Sequence, residues 1–151
     1  MKIQKEVFKR LDNFEETSYN KNAGGGVVLI IGRIDPKHFE DIALILTDEV
    51  VLTAKQLAHI KERHPKDYER YADYIPRVLK EPDYILEANL PNSAVLLKTF
   101  SEDGRRFQLI LRLKTVDDSA EFKNSIITFM EIGDKRYMRY LRTKKVLYKS
   151  E

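Results

Sequence analysis

The chain has 151 residues, of which 42% are hydrophobic and 34% are charged, and its formal net charge is +3. This length predicts a single domain over residues 1–151, and no apolar run approaches the roughly 18 residues that a membrane-spanning helix needs. Because the sequence contains no cysteine and its charged start lacks a signal-peptide core, we exclude disulfide bonds and thiolate zinc sites and expect cytoplasmic synthesis.

The first third of the chain contains one predicted helix and one predicted strand. Apolar residues recur at roughly helical spacing from Ile3 to Phe14, and the turn-forming run SYNKNAGGG follows them. The run VVLIIGRI has the length and composition of a buried strand, and the proline of DPKHF ends it. We treat residues 1–48 as an N-terminal extension with a strand, and residues 49–151 as the core of the domain.

The segment after residue 48 predicts a short strand, EVVLT, that leads into a helix from Ala54 to His64. Thr53 is a suitable N-cap for this helix, since its hydroxyl can accept a hydrogen bond from a free backbone N–H group. Leu57, Ile60 and His64 fall at i, i+3 and i+7, which places His64 on the apolar face. Pro65 ends the helix. The runs DYERYADY and IPRVLKEP predict one kinked helix or two short ones.

The remainder of the chain has the two-residue period of strands. Four runs, DYILEANL, SAVLLKTF, RRFQLILRL and NSIITFMEI, are separated by short loops, which predicts an antiparallel meander. A helix over residues 134–144 and a short strand, VLYK, complete the chain. Helices followed by an antiparallel sheet indicate an α+β fold.

Cationic and hydroxyl side chains interrupt these strands. Arg112 lies on the half-polar face of RRFQLILRL, and Lys98 stands alone in VLLKTF, where a cation is usually a surface residue. Ser125 and Thr128 of NSIITFM alternate to opposite faces, so at most one of them should share a face with Arg112.

The C-terminal stretch is the basic part of the chain. From Gly133 to Glu151, seven lysines and arginines oppose two acidic residues, with three tyrosines between them. Cations bind phosphates and aromatic rings stack on unpaired bases, so this composition suits RNA, although charge alone favours a solvated helix face. The candidate RNA-binding residues are Arg136, Arg139, Tyr140, Arg142, Lys144 and Lys145.

His64 is the candidate for acid–base chemistry. His59 and His64 are five residues apart, which rotates them by about 140° on a helix, so they cannot hold one metal ion, and we expect neither a metal nor a cofactor. A histidine with cations and a hydroxyl suits RNA cleavage by the substrate's own 2′-hydroxyl. The alternative for His64 is a cation at a helix C-terminus, where the dipole stabilises it by about 0.3–1 kcal/mol.

Several of these runs together resemble the phage-associated nuclease domains of the barnase-EndoU-colicin-RelE superfamily, often called PBECR. The resemblance extends from about Leu52 to Lys149 and is carried by ERHP, EPDYIL, NSIITF and RYLRTKKVLYK. It implies a metal-independent ribonuclease fold in which N-terminal helices pack on a four-stranded antiparallel meander sheet, with residues 49–151 as the nuclease-like core. It also implies a toxin or nuclease module of a phage or mobile element, for which an immunity or antitoxin protein is a possible partner.

The resemblance also implies roles for individual residues. ERHP makes His64 the acid–base group, LRL makes Arg112 a phosphate ligand, and NSIITF offers Ser125 or Thr128 as a hydroxyl donor. We add Lys98 from its strand position. This set predicts an endoribonuclease that leaves a cyclic phosphate and needs no metal.

Two other classes of function remain open. One is a nucleic-acid or protein-binding module of a phage or mobile element that keeps the fold without cleaving. The other is a structural phage-type domain that dimerises through Tyr68, Tyr71 and Tyr74.

Overall fold

The computed structural model describes residues 15–18, 27–63, 65–118 and 123–151. The strands are β1 (Glu15–Ser18), β2 (Val27–Arg33), β3 (Glu49–Thr53), β4 (Tyr84–Glu87), β5 (Ser93–Phe100), β6 (Arg105–Arg112), β7 (Asn124–Ile132) and β8 (Val146–Lys149). The helices are α1 (Ala54–Arg63), α2 (Pro65–Tyr71), α3 (Ile75–Lys80) and α4 (Asp134–Thr143), with 3-10 turns at Pro36–Phe39 and Ala72–Tyr74. The helix predicted near residues 3–14 lies outside the described residues.

One mixed sheet contains all of these strands, in the order β1-β2-β3-β7-β6-β5-β4-β8. The four predicted runs form β4 to β7 as an antiparallel meander, but β3 pairs in parallel with β7 and β8 pairs with β4. The helices α1 to α3 lie between β3 and β4 in the chain. The predicted architecture, N-terminal helices on a four-stranded antiparallel sheet, is therefore wrong, and the fold is α+β with a larger mixed sheet. Short loops indicate only neighbouring antiparallel strands, whereas a parallel neighbour arrives through a long crossover.

Helix α1 begins where the sequence predicts. The Thr53 hydroxyl accepts a hydrogen bond from the Gln56 backbone N–H group at 3.1 Å, which caps the helix. Leu57 and Ile60 are fully buried against the sheet. Of the helices in the part of the chain that the structure describes, none is long and apolar enough to cross a membrane.

Both faces of the sheet are covered, by different helices. On one face, which we term face A, α1 to α3 pack on a large core that includes Phe107 and Leu109 of β6. On the opposite face, termed face B, α4 packs on a smaller core in which Tyr137 contacts residues such as Val95 and Leu97. Face B is only partly covered, because Ile110 of β6 stays half-exposed.

An extra residue in β7 changes which side chains share face B. Arg112 pairs with Ser125, whereas Ile110, two residues earlier on β6, pairs with Thr128, three residues later on β7. This β-bulge shifts the alternation by one position, so both hydroxyl side chains lie on the face of Arg112. The prediction that at most one of them shares that face is wrong, because it assumed uninterrupted alternation.

A buried asparagine holds the parallel junction between β3 and β7. The Asn124 side chain is fully buried. Its Nδ2 donates to the backbone oxygens of Thr47 and Glu49 at 2.7 and 2.9 Å, and its Oδ1 accepts from the Lys114 backbone N–H group at 2.7 Å. One side chain thus connects the entry to β3, the start of β7 and the segment that follows β6.

The three tyrosines considered for a dimer interface pack within the chain. Tyr68 and Tyr71 are buried, at 3% and 8% exposure, and belong to the core on face A. The Tyr74 ring stacks on Phe100 with a centroid distance of 3.9 Å. Side chains in this position stabilise the fold, so they offer little surface to a second copy of the chain.

Candidate nucleic-acid interface

A groove of about 590 Å³ opens on face B, between α4 and the turn that joins β4 to β5. The floor is apolar and includes Val95 and Ile110, while Arg139 and Lys144 contribute positive charge from α4 and the residue after it. The groove is lined by Ala88, Asn89, Leu90, Ser93, Val95, Ile110, Arg139, Tyr140, Thr143 and Lys144. None of these lining residues is acidic, so within the described part of the chain the groove wall favours an anion.

Helix α4 supplies the charge because of its sequence pattern. Tyr137 is buried, and Tyr140 and Leu141 pack against the smaller core, so the opposite side of the helix is left to solvent. Burial raises the pKa of the Tyr137 phenol above its ordinary value. The Arg106 guanidinium lies 4.2 Å from the centre of the Tyr137 ring and fixes the first turn of α4 over the sheet.

The structure brings three of the six predicted RNA-binding residues together in the groove. The Lys144 Nζ donates to the Asn89 Oδ1 at 3.0 Å, and it lies 5.5 Å from the centre of the Tyr140 ring. The Arg139 guanidinium lies 5.9 Å from the centre of the same ring. Two cations thus flank one half-exposed aromatic side chain.

The other three predicted RNA-binding residues do not line the groove. Arg136 is exposed on α4 and its Nη1 contacts the Met130 sulfur at 3.9 Å. Arg142 is exposed elsewhere on the helix. The Lys145 Nζ lies 3.8 Å from the Asp41 carboxylate, outside this lining. These residues add to the positive charge around α4, but they do not line the groove.

Arg112 lies beside the groove but is already held by a carboxylate. Its neighbours across the strands are Ser125 on β7 and Ser93 on β5, and Ser93 lines the groove. The guanidinium donates to both carboxylate oxygens of Asp118, at 2.8 and 3.2 Å, and also to the Leu113 carbonyl. Arg112 therefore lies near the groove, but its guanidinium is paired with the Asp118 carboxylate.

The contact with Arg112 also affects the ionisation of the Asp118 side chain. Partial burial acts to raise the pKa of its carboxyl group, but the hydrogen bonds from Arg112 and from the Thr115 backbone N–H group outweigh burial, and the pKa is lowered. The carboxylate is consequently charged at neutral pH and competes with any phosphate for the guanidinium.

Lys98 is separated from Arg112 by the sheet itself. It pairs with Phe107, whose side chain belongs to the core on face A, whereas Arg112 points to face B. The Lys98 Nζ donates to the Glu81 carbonyl at 2.6 Å and lies 3.8 Å from the Asp83 carboxylate. These contacts anchor the turn between α3 and β4, so the structure does not group Lys98 with the other candidates.

His64 lies outside the described residues, so its predicted acid–base role stays a prediction. The helices on either side of it in the sequence, α1 and α2, pack on face A. Among the residues that the structure describes, there is no cluster of three or more histidine, aspartate or glutamate side chains that could hold a metal ion.

Two groove residues carry no recognisable signal in the sequence. Asn89 lies in the turn after β4, and Ser93 begins β5, and neither belongs to a recognisable motif. Their position in a site depends on α4 crossing the sheet at that point, and no local pattern reveals such a crossing. The short NLPNS turn was readable as a turn, but not as the wall of a groove.

Comparison with known protein families identifies a match over most of the chain. A family model described as phage-Barnase-EndoU-ColicinE5/D-RelE like nuclease 2 (PBECR2) matches residues 18–149. No curated protein and no solved structure matches the chain.

Proposed function

Because the chain belongs to the phage-Barnase-EndoU-ColicinE5/D-RelE like nuclease family, we propose that it is an endoribonuclease that needs no metal ion. The observation that carries the proposal is the groove on face B, which combines two cations, an aromatic ring and an apolar floor without a carboxylate among its described lining residues. Phosphates bind cations, and unpaired bases bind rings and apolar surfaces, so a single-stranded nucleic acid matches both properties. RNA, unlike DNA, carries the 2′-hydroxyl that the proposed reaction uses.

The proposed reaction uses a nucleophile that RNA itself carries. A base removes the proton of the 2′-hydroxyl while its oxygen attacks the adjacent phosphorus. The bond from phosphorus to the 5′-oxygen breaks, and an acid protonates that oxygen. The products are a 2′,3′-cyclic phosphate and a free 5′-hydroxyl. The protein must then supply a group with a pKa near neutrality and cations that stabilise the charge on the phosphorane.

We assign these tasks as follows. Arg139 and Lys144 bind phosphates along the groove, because both are cations of its lining. Arg112 contacts the reacting phosphate in exchange for Asp118, with Ser125 or Thr128 as hydroxyl donors on the same face. His64 is the proposed acid–base group, since the ordinary histidine pKa of about 6.5 suits both proton transfers. Because α1 and α2 pack on face A, this assignment requires the bound RNA to reach from the groove on face B to the helices on face A, and the His64→Ala variant tests it.

A direct experiment compares the wild type with variants on total cellular RNA in excess EDTA. We expect the wild type to cleave, the His64→Ala variant to lose cleavage, and the Arg139→Ala/Lys144→Ala variant to cleave only at raised protein concentration. Lys135→Ala is the matched control, because it removes a cation from an exposed position of α4 that does not line the groove. Wild-type protein that leaves RNA intact in EDTA, with or without cleavage in Mg²⁺, would refute the proposal of a metal-independent endoribonuclease.

The second candidate is a binding module that holds RNA without cleaving it. The contact between Arg112 and Asp118 favours this candidate, because a bidentate carboxylate occupies the guanidinium that a reacting phosphate would need. Salt-sensitive RNA binding by the wild type with no cleavage products would identify the protein as such a module.

A further inference from the structure

We infer that the groove binds one unpaired nucleotide by its base, with Tyr140 as the stacking surface and Asn89 as the residue that reads the base edge. The inference rests on the proposed function in one respect, which is that RNA is the ligand. It adds the substrate class, an unpaired base with a carbonyl on its edge, and it assigns specificity to residues outside the proposed reaction.

The size and lining of the groove match a single nucleotide. Its volume of about 590 Å³ lies within the roughly 300–1,000 Å³ of pockets that enclose compact organic ligands. Val95 and Ile110 on the floor suit the flat face of a base, and Arg139 and Lys144 at the wall suit its phosphate. A simple anion would not need the apolar floor, and an apolar ligand would not need the cations.

Tyr140 provides the aromatic surface. It is half-exposed, because one side of the residue packs against the smaller core while it also lines the groove. The cationic groups of Arg139 and Lys144 lie 5.9 and 5.5 Å from the ring centre, so a base on this ring would carry its phosphate toward two positive charges. Bases stack on tyrosine only when they are unpaired or at an end, which excludes the interior of a duplex.

Asn89 presents hydrogen-bond donors to the groove. The Lys144 Nζ can only donate, so its 3.0 Å contact fixes the Oδ1 of Asn89 toward the lysine. The two N–H groups of the amide then stay available for an acceptor on the ligand. A base carbonyl is such an acceptor, whereas an exocyclic amine is not.

Ser93 supports the turn instead of reading the base. It is buried, at 1% exposure, and its hydroxyl donates to the Pro91 carbonyl at 3.3 Å. The base edge is therefore read by the amide N–H groups of Asn89, which is exposed. Uracil presents two carbonyls to such donors, whereas adenine presents ring nitrogens beside an exocyclic amine, so we expect a preference for uracil over adenine.

The test is a binding assay that cleavage cannot disturb. Fluorescence anisotropy is measured with single-stranded 2′-O-methyl hexamers of uridine or adenosine and with a 2′-O-methyl duplex long enough to stay paired at the assay temperature, because these oligonucleotides lack the attacking hydroxyl. We expect the full-length wild type to bind single strands at least tenfold more tightly than duplexes, and the uridine hexamer about tenfold more tightly than the adenosine hexamer.

The variants separate the two contributions. Asn89→Ala should reduce the preference for uridine to about twofold or less, while Tyr140→Leu should weaken binding of both hexamers by about tenfold. Tyr140→Phe keeps the ring and should bind like the wild type, which guards against a loss of binding caused by misfolding. Lys135→Ala, outside the groove lining, is the control for the charge of α4.

The results also distinguish this inference from the proposed function. Equal binding of the two hexamers, equal binding of duplex and single strand, or a preference that survives Asn89→Ala overturns the inference. If the wild type still cleaves natural RNA in that case, the proposed function stands. A preference that depends on Asn89, in a protein that cleaves no RNA, supports the inference and refutes the proposed cleavage.

Discussion

Replacing Asn124 with alanine should destabilise the protein more than any other single polar substitution proposed for it. The change removes three hydrogen bonds of 2.7 to 2.9 Å from a fully buried side chain. Each such bond contributes about 0.5–1.5 kcal/mol net, and the cavity adds to the loss, so the free energy of unfolding should fall by about 2–4 kcal/mol. Because Lys114 lies two residues after Arg112, the last residue of β6, that end of the strand should also lose its fixed position.

The assay is urea denaturation followed by circular dichroism. With a slope of about 2 kcal/mol per molar urea, the midpoint should fall by about 1–2 M. Asn124→Asp keeps the acceptor for Lys114 but sets a second oxygen against the Thr47 and Glu49 carbonyls, so it should be at least as harmful at pH 7. Ser125→Ala, at a half-exposed neighbour, should stay within about 0.5 kcal/mol of the wild type. A loss below about 0.5 kcal/mol for Asn124→Ala would refute the view that this side chain holds the junction.

Three further predictions follow from the contacts on both faces of the sheet. The Arg139→Ala/Lys144→Ala variant should bind single-stranded RNA with a weaker salt dependence, because two phosphate contacts are lost. The slope of log affinity against log salt concentration should fall in magnitude by about 1.4. An unchanged slope between about 50 and 200 mM salt would contradict these phosphate contacts. The native pKa of Asp118 is lowered, so the ionised side chain stabilises the protein fully above the unfolded-state pKa near 3.9, and this stabilisation is lost as the pH falls through the native pKa. The difference in melting temperature between the wild type and Asp118→Asn should therefore be large at pH 7 and small in strong acid. A difference that does not change with pH would exclude this titration. Gly32→Ala should lower the free energy of unfolding by about 1–3 kcal/mol, because a Cβ atom there would lie 2.9 Å from the Leu79 Cδ1. An unchanged melting temperature would show that the Leu79 side chain moves aside.

The local elements were predictable because their signals are local. EVVLT, the Thr53 cap and the apolar face of α1 all lie within a few residues of the structure they determine, and the meander runs became β4 to β7. The parallel pairing of β3 with β7 joins residues 50 and 124, and no short pattern encodes a contact over that distance. The sheet was therefore predicted too small, and its helices were placed before it instead of after its first strands.

The candidate site was partly predictable for the same reason. Arg139, Tyr140 and Lys144 were recognisable from a basic, tyrosine-containing tail, and they meet in the groove because α4 brings them to one side. Lys98 was added to the site from its position in a strand run, and only the register with β6 shows that it and Arg112 point to opposite faces. Asn89 could not be identified from the sequence, since its relevance depends on its contact with Lys144, 55 residues later in the chain.

The central claim is that the 2′-hydroxyl of the RNA attacks the phosphate, and two oligonucleotides test it most directly. The first is an RNA with a mapped cleavage site. The second is the same RNA with a single 2′-deoxy nucleotide on the 5′ side of that site. Both are incubated with wild-type protein in EDTA, and the product ends are identified by mass spectrometry. Internal attack predicts a 2′,3′-cyclic phosphate and a 5′-hydroxyl from the RNA, and no cleavage at the modified position. Cleavage of the modified oligonucleotide at the same site and at a similar rate would contradict the account.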